Sequence, residues 1–268
     1  MKLLCYSLAS LLAAGSVSAA TPKTKPAACS YKIGDRAIFM DPAEYLAVAK
    51  SNREALGGDK GEFETTQDYN RRTDAAQKAL AIKPVLLAHP ANYDEPDSGV
   101  TYIADEQRFR IFVGSFIGTL DGIDYRYMDK VVLQQTLTNK DTYVAANAYG
   151  SQTSVERSDW DVISIKSWNT SPKSIYWKLD STADGEGYSV SIPVPLDQAR
   201  TFKSGLRAGI EFLPKMPFMS TDTDHVRPTA DWPKEMTYHH QVFDGVVLCA
   251  VLADKNGKVV KTVQPIVR

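Results

Sequence analysis

The chain has 268 residues, 31 Lys and Arg against 32 Asp and Glu, and a formal net charge of −1. That balance argues against non-specific nucleic-acid binding, which needs a basic excess, and it offers no polybasic handle for a membrane surface. Hydrophobic residues make up 43%, enough over this length to bury one large core or two smaller ones.

Residues 1–20, MKLLCYSLASLLAAGSVSAA, carry one Lys, an apolar run over 3–14 and small residues at the end. This three-part layout predicts a cleavable signal peptide, cut after Ala19 or Ala20. The apolar run is shorter than the roughly 18 residues of a membrane anchor. The longest later run, VVLCAVLA at 246–253, has the length of a buried strand. No membrane span is therefore expected, and the protein is expected to be periplasmic or secreted. Residues 21–28, TPKTKPAA, read as a flexible tether. Residues 29–268 read as a single domain, with a helical part over 29–95 and a β-rich part over 96–268. Cys5 leaves with the leader, and Cys29 and Cys249 remain. In an oxidising compartment that pair reads as a disulfide; the alternative is two separate thiols, with Cys249 a small buried hydrophobe.

Asp41-Pro42 opens DPAEYLAVAKSNREAL as N-cap and first helical residue, and Gly57-Gly58 closes it. The second helix starts inside GEFETTQDYNRRTD, residues 61–74, the densest polar chemistry in the chain. Thr65 is the expected N-cap and Asp68 its capping-box-like partner. Tyr69, Thr73, Ala76 and Leu80 fall on one buried stripe, and Asp68–Arg72 and Asp74–Lys78 are i,i+4 pairs. Phe63 is expected to anchor the chain's entry, and Lys83-Pro84 stops the helix.

From about residue 100 the period becomes two. VTYIA, RFRIFVGSFIGTL, KVVLQQTLT, DTYVAANAYG, QTSVER, WDVISIKSW, SIYWKLD and YSVSIPV are all rich in strand formers. One helix, PLDQARTFKSG, interrupts them, from Pro195 to a C′ glycine at Gly205. LRAGIEFL resumes as strand. Asn256-Gly257 predicts a hairpin between the last two strands, and DKNG lacks the further ligands of a calcium loop. The fold class predicted is α+β, with N-terminal helices packed on a mostly antiparallel β-sheet or sandwich.

The chain has no Gly-x-Ser-x-Gly, Ser-x-x-Lys, His-Glu-x-x-His, Cys-x-x-Cys, P-loop or Gly-x-Gly-x-x-Gly. No metal and no cofactor is expected. Residues 215–240, KMPFMSTDTDHVRPTADWPKEMTYHH, read as a long irregular loop with three prolines, either a contact loop or a solvated insertion. For acid–base work the candidates are His225 or His239 with Asp222 or Asp224, because histidine titrates near neutrality. For binding they are Arg227, Trp232 and His240. Trp160, Trp168, Tyr176 and Trp177 form either a stacking platform or a sheet-face core.

Three fragments carry a resemblance. GEFETTQDYNRR resembles a Phe-Glu-Thr-Thr-x-x-Tyr-x-x-Arg helix start found in exported bacterial proteins without an assigned activity. TYVAANAYGSQTSVER and SVSIPVPLDQARTFKSGLRAGIEFL are similar to further segments of those proteins. The resemblance implies a bacterial periplasmic or secreted origin. The expectation is an exported non-enzymatic binding, accessory or inhibitor-like module with an unknown protein or glycan partner. The alternative is a hydrolase of an envelope polymer or peptide using a His/Asp pair.

Overall fold

The computed structural model describes residues 28–89, 99–112, 130–146, 150–167 and 189–263. The predicted leader, Trp168, Tyr176 and Trp177 lie outside the described residues.

Helix α1 (Pro42–Ala55) begins as its sequence dictates. The Asp41 carboxylate accepts from the Ala43 N–H at 2.7 Å, and Pro42 takes the first helical position. Helix α2 (Thr66–Leu80) is capped by Thr65, whose Oγ1 accepts from the Asp68 N–H at 3.1 Å and donates to the Asp68 carboxylate at 2.7 Å. The polar stretch at 61–74 is thus a helix start. Its details differ from expectation in two ways. Asp68 pairs with Arg71, at 2.6 Å, while Arg72 forks onto Glu64 at 2.7 and 3.0 Å and donates to the carbonyls of Leu56 and Asp59. Arg72 therefore closes the last turn of α1 onto the entry of α2. Phe63 does not anchor that entry, for it is 93% exposed.

The helical part, 29–95, also contains a strand after the Lys83-Pro84 stop, β1 (Val85–His89). The remaining strands are β2 (Val100–Ile103), β3 (Arg108–Phe112), β4 (Lys130–Ala146), β5 (Gln152–Ser167), β6 (Ser189–Pro193), β7 (Arg207–Val226), β8 (Lys234–Ala253) and β9 (Val259–Val263). Helix α3 (Leu196–Gly205) follows Pro195; Gly205 is its last residue and Leu206 its cap, so the glycine does not stand beyond the end. The architecture is sheet-rich α+β. One sheet has the order β1-β7-β8-β5-β4 with β9 added to β8, and β2-β3-β6 form a second. Among the described strands the pairings are antiparallel except β5 with β8, which makes the larger sheet mixed. KVVLQQTLT and DTYVAA, separate in the hydropathy pattern, run as one strand whose register shifts absorb the irregular positions.

The main core is aromatic at its centre. Tyr45 of α1 sets its ring edge-on to Phe212 of β7 and Phe243 of β8, at 5.4 and 4.9 Å between centroids. Phe109 of β3 stacks on Phe202 of α3 at 5.3 Å. Such pairs add roughly 0.5–1.5 kcal/mol each to the area they bury. The chain before α1 is tied down along β1 and β9. Ala37 N–H donates to Gly257 O at 2.7 Å, and Met40 exchanges bonds of 2.9 Å with Leu86 and Ala88. A disulfide joins Cys29 to Cys249 of β8, 220 residues away, with Cα atoms 5.4 Å apart. Beside it the buried carboxylate of Glu211 accepts from the Ser30 N–H at 2.9 Å and from its hydroxyl. Among the described residues no helix is long and apolar enough to cross a membrane.

Candidate functional site

Residues 215–240 are not an irregular loop. They form the distal half of β7, a short connection at 227–233, and the start of β8. The prolines are absorbed without breaking the hairpin. Pro217 lies in a bulge between Pro214 and Met219, while Pro228 and Pro233 fall in the connection. Phe218 in that bulge is fully buried, which fastens the bulge to the core.

The register decides which candidates meet. Asp222 stands directly opposite His240, and Asp224 is two residues on, so all three share one face. His225 and His239 fall on the other face and are exposed. His225 Nδ1 lies 3.3 Å from Thr237 Oγ1. The histidine that faces the two carboxylates is therefore His240, not His225 or His239. Its Nε2 is 3.0 Å from Asp224 Oδ2, off the axis of an aligned hydrogen bond. Its Nδ1 is 3.3 Å from the hydroxyl of Ser164 on the neighbouring strand β5.

Lys130, the first residue of β4, completes the group. Its ammonium lies 2.8 Å from Asp222 Oδ2 and 3.2 Å from Asp224 Oδ2, and its side chain is only 6% exposed. The bond from Lys130 holds the Asp222 carboxyl below the usual carboxylate range. Burial and the Lys130 charge push His240 down against the opposite pull of the carboxylates. The imidazole is thus neutral at pH 7, with Ser164, His240, Asp224 and Lys130 in one polar chain. In outline this resembles a serine–histidine–acid relay. The difference is that Ser164 has no exposure and the His240 side chain has none, so neither faces an incoming carbonyl.

The proposed binding trio is dispersed. Arg227 is exposed just beyond β7. Trp232 packs with Trp160 against Val132, Val162, Met236 and Tyr238, and its backbone closes the connection through bonds with Thr229 and Lys234. Both tryptophans therefore belong to a sheet-face cluster. His240 is buried in the ion-pair group. Sequence reasoning missed Lys130 and Ser164. A serine between the two isoleucines of VISIK marks a polar group inside a buried run, and that was the available signal for Ser164. Lys130 carries none, because a lysine at the start of a strand is ordinary. Among the described residues one cluster has metal-ligand types in reach, Cys29, Glu211 and Cys249, and its sulfurs are consumed by the disulfide. No family model, curated protein or solved structure matches the chain.

Proposed function

We propose that the chain is an exported, non-enzymatic protein of the bacterial envelope that works by binding. The observation that carries this reading is the state of the His240 group. A hydrolase needs a nucleophile, or a base able to activate water, facing its substrate. Here the serine and imidazole are buried, and Lys130 is engaged with both carboxylates. Such a group fixes the register of β4, β5, β7 and β8 and does not turn over substrate. The leader-like first twenty residues and the Cys29–Cys249 bond support export to an oxidising compartment.

The test is to express the full chain in a bacterium, isolate the exported form and determine its N-terminus. That form and its His240→Gln variant are then assayed on peptidoglycan and on peptide substrates. The expected result is a start at residue 20 or 21 and no turnover by either protein. Turnover by the wild type that disappears in a folded His240→Gln variant would establish the hydrolase instead.

A further inference from the structure

Positive charge gathers at the other end of β8 from His240. A cavity of about 740 Å³ there is lined by Arg36, Arg207, Lys255 and Lys258, with Ile38 and Phe39 on its wall. Three chain segments supply the cations: the strip before α1, the first residue of β7, and the turn between β8 and β9. The turn is rigid. The Asp254 carboxylate accepts from the N–H groups of Asn256 and Lys258 at 2.8 and 2.9 Å, and Gly257 takes the φ of +79° that a side chain resists. The Arg207 guanidinium carbon lies over the Phe39 ring, 4.9 Å from its centroid. Gly209 makes room for that ring, since a Cβ there would come within 2.8 Å of it.

Arg36 and Lys258 face each other across an isolated antiparallel bridge. The flanking bonds run from Val259 N–H to Asp35 O at 2.8 Å and from Ala37 N–H to Gly257 O at 2.7 Å. That makes the two cations a non-hydrogen-bonded pair, the class whose side chains approach most closely. Like charges directly opposite each other are destabilising, and an anion held between them relieves that cost. Among the described residues none of the four cations forms an ion pair. The one carboxylate in the lining, Asp35, accepts from the Lys32 N–H at 2.8 Å.

We propose that this cavity binds a small organic phosphate. The phosphate sits among Arg36, Arg207, Lys255 and Lys258, and the organic body lies against Phe39 and the 76%-exposed Ile38. A lone carboxylate would leave most of the positive charge uncompensated. A phosphate monoester brings about two negative charges and three acceptor oxygens, which match guanidinium forks. The cavity is also larger than inorganic phosphate and lies within the usual size range of ligand sites. The inference rests on the binding reading above and names its ligand class.

The exported protein with its disulfide intact is titrated calorimetrically with glucose 1-phosphate, with inorganic pyrophosphate and with uncharged glucose, at low and high salt. Vesicles of phosphatidylglycerol form a further arm. Saturable one-to-one binding of glucose 1-phosphate that weakens with salt is expected, with none for glucose. Arg36→Gln/Lys258→Gln is expected to bind about ten-fold more weakly, yet its ligand-free form should melt no lower than wild type because the like-charge contact is gone. A cavity wall with only a structural role would not separate the two readouts in that way. The proposal is overturned by no saturable binding of either soluble phosphate, by unchanged affinity in the double variant, or by capture on vesicles alone. Loss of the pocket in this way leaves the non-enzymatic reading standing. Release of phosphate from bound glucose 1-phosphate would do the reverse, supporting the pocket and sinking that reading.

Discussion

Tyr45 stands at the centre of the aromatic core with a buried hydroxyl that has no hydrogen-bond partner among the described residues. Burial also pushes its phenol well above the usual range. The ring stabilises and the oxygen costs, so the two are separable. Tyr45→Phe is expected to raise stability by about 1 kcal/mol, since it removes an unsatisfied polar atom and keeps the packing. Tyr45→Ala is expected to lose about 3–5 kcal/mol through the cavity it leaves. Urea unfolding midpoints decide, and a Phe variant weaker than wild type would show that the hydroxyl has a partner. Lys130 poses the opposite case, a buried charge that others depend on. In Lys130→Met, Asp222 and Asp224 lose their cation, and His240 loses the charge that, after burial, holds its pKa down. The His240 ring should then titrate at a higher pH by NMR. The stability loss should be about 1–3 kcal/mol, below that of a fully buried pair because the carboxylates are 51% and 38% exposed. An unmoved His240 titration would mean that the four side chains are not coupled.

At the scale of elements, helix ends were the most legible feature of the chain. Asp41-Pro42 and Thr65 each start a helix where their capping chemistry requires. Thr65→Ala should accordingly cost about 1 kcal/mol of stability, read as a lower thermal midpoint with the fold retained. An unchanged midpoint would mean that Arg72, which ties Glu64 to the end of α1, holds the helix start alone. The hairpin of β7 and β8 was legible only in part. LRAGIEFL and VVLCAVLA show as strands because both faces are buried there. The distal half looks like a loop because prolines and acidic residues break the alternation. What restores the strand is non-local: a bulge removes Pro217 from the ladder, and β8 has β5 on its other side to hold it flat. The candidate site follows the same rule. Asp222, Asp224 and His240 were among the residues singled out, but which histidine faces the acids depends on a register that no local pattern contains. The lysine that bridges the two acids comes from a strand about ninety residues earlier.

At the scale of the whole molecule, acid stability links the buried His240 and the half-buried His89 to the fold. Burial pushes His89, at the end of β1, down to about 4 against the opposite pull of the backbone at Val132. Burial and Lys130 lower His240 as well. In the unfolded chain both titrate near the ordinary value of about 6.5. The folded protein therefore binds fewer protons than the unfolded one between these limits. The contribution of each neutral imidazole is complete above about pH 6.5 and is lost as the pH falls toward the folded value. For His89 the interval reaches down to about 4, and the loss is on the order of 3 kcal/mol. Asp222, whose carboxyl Lys130 holds below its usual range, loses its contribution only at still lower pH, so the histidines fail first. Stability measured by urea at pH 7.5, 6, 5 and 4 should decline across that window while the disulfide remains closed. His89→Phe should flatten the slope above pH 4, because an apolar ring has no proton to take up. A wild-type profile that stays flat from pH 6.5 to 4 would show that neither imidazole is held neutral by the fold. A steep profile that survives His89→Phe would move the effect to His240.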